Sequence, residues 1–337
     1  MNPIAPPLAE EVAALPRRSA LKAAAGLAAT LLAPGLVRAQ ASSFPSRPIQ
    51  LVFPFPAGGT LDPIMRALAA AAAKELGQPV LLMNKAGAGG VSGVASLTQL
   101  TEPDGYTVAL MHNSVIRQPL LTKVNWDPIR DFTYIIGLST LTTAVAVKAD
   151  APWKTLADLL ADAKNRPGMI SWGNVGAISA NRIYAERLAK AAGVKFNMVP
   201  FKGGGESFTA LLGGHLDVYG DPAFGPMATA GKIRLLATMT ERRLARWPDV
   251  PTLKELGYDL AVQSNLGLVA PKGVDPAIVS RLYAAFHKAS EDPTYQRLSN
   301  EGDLLPALLD PAGYKAYAVA QAAREKAMLD EVGFKAE

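Results

Sequence analysis

Residues 54–66 read P-F-P-A-G-G-T-L-D-P-I-M-R and follow the apolar run Ile49–Phe53. A second apolar run, Val80–Met83, leads into N-K-A-G-A-G-G-V-S-G at residues 84–93. In each place a strand breaks into glycines and then becomes a helix, and such a turn presents backbone N–H groups to an anion. Two more junctions of small or polar residues lie at 173–181 and 202–207, and Asp221-Pro222 adds a fifth loop. A single junction of this kind is ordinary βα punctuation. Four of them, spread over both halves of the chain, point to one shared anion-accepting cleft. Lys85 and Lys202 are the candidate cations in these loops. Recognition by neutral dipoles, which suits a small carboxylate better than a polyphosphate, is therefore expected over a bidentate arginine clamp.

Signatures of other chemistry are missing. The sequence contains no G-x-x-x-x-G-K-[ST], no H-E-x-x-H and no G-x-S-x-G. The glycines at 87–93 follow a strand, but the third falls one place late for a dinucleotide fingerprint, and no acidic residue ends a following strand at the ribose-binding distance. His112, His215 and His287 are scattered and form no metal-ligand set; His112 ends a strand on the expected cleft edge, where it can contact a ligand. Neither a catalytic group nor a cofactor is expected. With no cysteine among 337 residues, disulfides and thiol catalysis are excluded.

These loops need elements to hold them. Strands are expected at Ile49–Phe53, Val80–Met83 and Tyr106–Met111, with helices from Leu61 and Val91 between them. Thr60 is the expected N-cap of the first helix, Pro63 sits in its first turn, and Gly77 ends it. A similar series restarts after Leu141: strands at 144–147, 169–172, 195–199, 216–219 and 233–239, and helices from Thr155, Ser179 and Glu206. The tail offers one more strand, Leu266–Val269, and helices from Asp275 and Pro311. Strands alternating with helices imply an α/β protein with parallel sheets. The tail is too small for a domain of its own and is expected to dock on the first sheet. The expected organisation is a discontinuous first domain, 42–142 with 265–337, and an inserted second domain, 143–264. Two sheet edges facing each other then make a cleft at the carboxyl ends of the strands.

Residues 1–41 read as a cleavable export signal. Arg17-Arg18-Ser19-Ala20-Leu21-Lys22 precedes an Ala/Leu/Gly-rich stretch and small residues at Ala39-Gln40-Ala41, which suits a twin-arginine or general secretory route into the periplasm. Without them the formal charge falls from +5 to +3 over 296 residues, too dilute to suggest nucleic acid.

Taken together, the motifs resemble the tripartite tricarboxylate transporter solute-receptor family, the Bug periplasmic binding proteins. They are F-P-A-G-G-T-L-D-P-I-M-R (55–66), N-K-A-G-A-G-G-V-S-G (84–93), P-D-G-Y-T (103–107), W-D-P-I-R-D-F-T-Y-I (126–135), P-F-K-G-G-G-E-S (200–207), A-L-L-G-G-H-L-D (210–217) and L-G-L-V-A-P-K-G (266–273). The resemblance spans nearly the whole chain after the signal. It implies a type II periplasmic-binding-protein fold, hinge closure, and a monomeric receptor that delivers a carboxylate to membrane transporter subunits. It also assigns ligand contacts to Phe55, Ala57, Gly58, Gly59, Thr60 and Asp62. Asn113 and Ser114 join them from another loop, and Gly176, Ala177, Ile178, Ser179 and Asp221 from the second domain. Ile178 stands where relatives carry glycine and Arg182 where they carry histidine, so the pocket is expected to narrow there. Two other readings use the same cleft: an exported enzyme with Asp62, His112 or Asp221 as base, and a ligand-sensing subunit of a signalling system.

Overall fold

The computed structural model describes residues 44–176 and 179–332. The expected export signal and the two residues Ala177 and Ile178 lie outside them. Among the described residues no helix is long and apolar enough to cross a membrane.

The first sheet is built from β1 (Ile49–Phe53), β2 (Val80–Asn84), β3 (Thr107–Met111), β4 (Phe132–Leu141), β10 (Ser264–Pro271) and β11 (Leu305–Leu309), in the order β11-β4-β10-β3-β1-β2. The second is β5 (Ala144–Lys148), β6 (Ser171–Val175), β7 (Asn197–Phe201), β8 (Val218–Tyr219) and β9 (Ile233–Thr238), in the order β7-β6-β8-β5-β9. The chain passes from one sheet to the other between Leu141 and Ala144 and returns at Ser264.

Both sheets are mixed, not parallel as the alternation of strands and helices implied. β1 runs parallel to β2 and β3, and β6 parallel to β7 and β8. β10 is antiparallel to β3 and β4, and β5 to β8 and β9. The reason is connectivity. A strand that carries the chain across must enter its new sheet at the edge where its neighbours end, so it runs against them. β4, β11 and α9 (Pro293–Glu301) were not anticipated. Nor was α3 (Asn113–Leu121), which carries Pro119 in its interior and so breaks the usual rule for a helix.

Alternation along each strand feeds two faces. Leu51 and Phe53 are buried with Leu68 of α1 (Asp62–Leu76) and Phe286 of α8 (Pro276–Ala289). Val52 faces the other way, into a cluster with Met111, Val115 of α3 and Tyr314 of α10 (Pro311–Val332). In the second sheet Val145, Val147 and Trp172 pack with α4 (Leu156–Asn165) and α5 (Ala180–Ala192), whereas Ala146 and Tyr219 pack with Phe208 and Leu211 of α6 (Gly204–Leu212).

The helix boundaries follow local chemistry. Thr155 caps α4 in a reciprocal capping box with Asp158, and Ser179 Oγ accepts from Arg182 N–H at the start of α5. At α1 the cap position belongs to Leu61, with no side-chain cap, and Thr60 is left free of that task; Gly77 closes the helix at φ +69°.

Candidate ligand-binding cleft

The carboxyl-end loops of both sheets converge on one cavity of about 530 Å³. From the first half come Phe55, Ala57, Gly58, Gly59 and Thr60 after β1, Gly89 after β2, and His112 and Ser114 after β3. From the second half come Val175 at the end of β6, Ser179 and Asn181 at the head of α5, Lys202–Glu206 after β7, and Asp221 after β8. The two strands that join the halves contribute Leu141 and Ser264. This is where an open α/β sheet is built to hold a ligand.

The walls meet at glycines. A Cβ added at Gly204 would lie 3.3 Å from Thr60 Oγ1, and one at Gly205 would lie 3.7 Å from the Gly58 carbonyl oxygen. The first turns of the two halves therefore face each other directly, with the N-terminus of α6 on the second-half side. On the next turn round, Gly176 is at φ +77° and a Cβ there would come within 2.8 Å of Gly89 Cα. Only glycine at Gly176 accommodates both that conformation and that approach.

Two groups singled out from the sequence serve the scaffold. Asp62 is buried, accepts two hydrogen bonds from Arg66 and one from Asn84, and does not line the cavity. Burial alone would raise its pKa, but Arg66, Asn84 and the Gly58 amide more than offset this and lower it. Asn113 is 1% exposed; its Nδ2 donates to the Gln263 carbonyl at 2.8 Å and its Oδ1 accepts from Tyr317 at 3.0 Å. It ties β3's end to the chain returning from the second sheet. Arg182 pairs with Glu186 at 2.8 Å along α5 and faces a separate surface groove. The loop 202–207, recognised as an anion-accepting turn but missing from the carried-over contacts, supplies much of the wall. Its signal in the sequence was the triple glycine before Glu206.

Two buried polar side chains line the cavity without full complements of partners. His112 is tilted against Phe55, with ring centroids 5.2 Å apart, and its Nε2 has no hydrogen-bond partner. Burial pushes it down to about 4, partly opposed by the Gly90 backbone and reinforced by Arg117, so the imidazole is neutral at pH 7. Asp221 is fully buried; its Oδ1 accepts from Val175 N–H and Asn181 Nδ2, both at 2.9 Å. Burial raises it to about 6, although Asn181, Val175 and the nearby Ser207 favour the charged form. Among the described residues no cluster of three or more His, Asp or Glu is placed to hold a metal ion.

Two mixed sheets of this order with a cavity at their facing carboxyl edges define the class of two-lobed binding proteins. Comparison with known proteins gives the family. Residues 64–334 match the model of the tripartite tricarboxylate transporter family receptor, and the chain belongs to that family. It is 45% identical over 316 residues to the UPF0065 protein in the gbd 5'region of Cupriavidus necator, covering 92% of this chain and 96% of that one. It is 30% identical over 301 residues to Protein BugT of Bordetella pertussis, covering 88% and 92%. Among solved structures, periplasmic binding protein BugD superposes with a TM-score of 0.83 at 28% identity, over 87% of this chain and all of that one. A Rhodopseudomonas palustris protein with adipate gives 0.81 at 27% identity, over 87% and 100%. MatC from the same organism with bound malate gives 0.78 at 26%, over 85% and 100%.

Proposed function

We propose that this chain is a periplasmic receptor that captures a small carboxylate and hands it, unchanged, to a membrane transporter. The observation that carries this reading is the apposition of two glycine turns across one cavity, with the N-terminus of α6 in one wall and the 57–60 turn in the other. Helix N-terminal amides carry a partial positive charge and an unsatisfied set of N–H donors, which suits a carboxylate without an arginine. Lys202 at the mouth of the same helix adds the one full cation among the described lining residues. Thr60, free of capping, has a hydroxyl available to the same oxygen. The relatives solved with malate and adipate support the ligand class.

The division into a discontinuous first domain (42–142 with 265–337) and an inserted second one (143–264) follows the two chain crossings, and closure about them buries the ligand. Residues 1–41 serve as the export signal, removed from a protein that then works as a monomer in the periplasm. The receptor has no chemistry of its own: His112 is neutral and packed, and Asp62 is committed to Arg66.

Thermal unfolding of the purified protein against di- and tricarboxylates, aromatic acids, amino acids and nucleotides tests the reading. A ligand at about 100 times its dissociation constant adds roughly 2.7 kcal/mol. A melt shifted by nucleotides and by no carboxylate, or turnover of a bound acid, overturns it.

A further inference from the structure

The cavity presents more apolar surface than a small polyacid can use. Phe55, Leu141, Val175 and Pro222 line it from four separate strand ends, and each is only partly buried. Apolar surface left facing water is unfavourable, and a ligand that covers it recovers that free energy. The volume agrees. A dry protein cavity of about 150 Å³ is enough to hold benzene, and this one measures about 530 Å³. Phe55 is the best prepared of the four. Its ring meets Phe53 edge-on with centroids 5.5 Å apart, and lies tilted on His112 at 5.2 Å. Phe53 and His112 are both buried, so the Phe55 ring is held from two sides while part of it stays open to the cavity. Burial keeps the His112 imidazole neutral, with a pKa of about 4, so this wall carries no charge. A fixed aromatic face of this kind gains from a second ring beyond the area that the ring covers.

Charge limits the rest of the ligand. A first carboxylate has the facing glycine turns, the head of α6 and Lys202. A second one has no cation left. The described lining offers no further lysine and no arginine, and its other ionised groups are the acids Glu206 and Asp221. Glu206 is turned back on its own loop, accepting from Lys202 N–H at 3.0 Å, and Asp221 is enclosed and held by Val175 and Asn181. Burying another, unpaired carboxylate in the same cavity is costly.

We infer that the ligand is an aromatic monocarboxylate, with its one carboxylate at the facing glycine turns and a ring free of further charge packed on Phe55. This rests on the carboxylate-receptor reading above and narrows it, away from the malate and adipate of the solved relatives. Phe55 then acts as the residue that sets specificity: the turns hold any carboxylate, and the ring selects what the carboxylate is attached to.

Calorimetric titration of the purified protein at pH 7.5 with two matched pairs tests this. One pair is 4-methylbenzoate and terephthalate; the other is hexanoate and adipate. In each pair the monoacid is expected to bind about tenfold or more tightly than the diacid, and 4-methylbenzoate to bind the most tightly of the four. Its binding is also expected to carry a more negative heat-capacity change than that of adipate, the mark of apolar burial. Phe55→Leu keeps an apolar side chain and removes the ring. It is expected to weaken 4-methylbenzoate about two- to tenfold more than hexanoate. If either diacid binds as tightly as its monoacid partner, the single-charge assignment is wrong and the carboxylate receptor stands. If hexanoate matches 4-methylbenzoate, or Phe55→Leu weakens both alike, the ring is not read by Phe55. Should Phe55→Leu fail to fold, equal heat-capacity changes for 4-methylbenzoate and adipate in the unmodified protein overturn the apolar platform instead. If none of the four binds and no other carboxylate shifts the melt, both readings fall.

Discussion

At the scale of single residues, the cleft separates groups that hold the scaffold from groups that meet the ligand. Asp62 belongs to the first kind. Its pKa is lowered in the folded protein, so its contribution to stability is complete above the unfolded value near 3.8 and disappears as the pH falls through the lower folded value. Asp62→Asn is expected to lower the melting point at pH 7 and leave ligand affinity nearly unchanged; a large loss of affinity with an unshifted melt would return Asp62 to the ligand. Asp221 has the opposite sign. Its folded pKa, about 6, exceeds the ordinary aspartate value of 3.8, so holding it charged costs stability that grows between about pH 4 and 6 and persists above. At 1.36 kcal/mol per unit the cost is up to roughly 3 kcal/mol. Ligand-free Asp221→Asn is therefore expected to melt at or above the parent at pH 7.5, and to lose that advantage near pH 4. A clear drop in the pH 7.5 melt would show that the charge is structural. Gly176→Ala meets a different obstacle, a left-handed backbone and the Gly89 backbone within 2.8 Å of the new methyl. It is expected to weaken ligand binding about tenfold or more, since about 1–2 kcal/mol of backbone strain is added at the point where the walls touch.

At the scale of elements, the most consequential join is between α3 and α10. Arg117 and Glu325 are paired at 2.6 Å with side chains 0% and 1% exposed, and Gln321 adds a hydrogen bond to the same carboxylate. Arg117→Met strands a buried charge and is expected to cost about 3–5 kcal/mol in chemical denaturation; a loss under 1 kcal/mol would mean that water reaches Glu325. These elements also mark what the sequence could and could not reveal. The glycine turns, the helix starts at Thr155 and Ser179 and the apolar runs were legible because they are local: turn chemistry and period-four burial need no partner to be read. β11, Leu-Pro-Ala-Leu-Leu, was missed because a proline-bearing edge strand alternates poorly. β4 was missed because it is ten residues, mostly buried, without the alternation of a half-exposed strand. The direction of β5 and β10 is set by where the chain crosses, which no local pattern records. Within the site, Thr60, Gly58 and Asp221 could be marked by loop position. The roles of Asp62 and Asn113 could not, since Asn113 finds Gln263 and Tyr317 at sequence separations of 150 and 204 residues.

At the scale of the whole molecule, contacts between the two halves extend beyond the cleft. Asp303, at φ +56°, accepts from Arg246 at 2.8 Å and from Trp247 at 2.9 Å, and its carbonyl accepts from Thr142 in the crossing. On another part of the surface Leu121 of α3 and Met328 and Leu329 of α10 bury Ile183 of α5, and Arg187 pairs with Glu331 at 2.9 Å. If the halves close as proposed, small-angle scattering should show a smaller radius of gyration on ligand addition; an unchanged radius would count against hinge closure. The Ile183 cluster carries a consequence for timing. None of its residues lines the cavity, yet parting the halves must strip water-excluding contacts from all four. Met328→Ala is thus expected to speed ligand escape severalfold in stopped-flow measurements and leave the rate of capture nearly alone. How long a solute stays aboard would then be set by the last turns of the last helix, well away from anything that touches it.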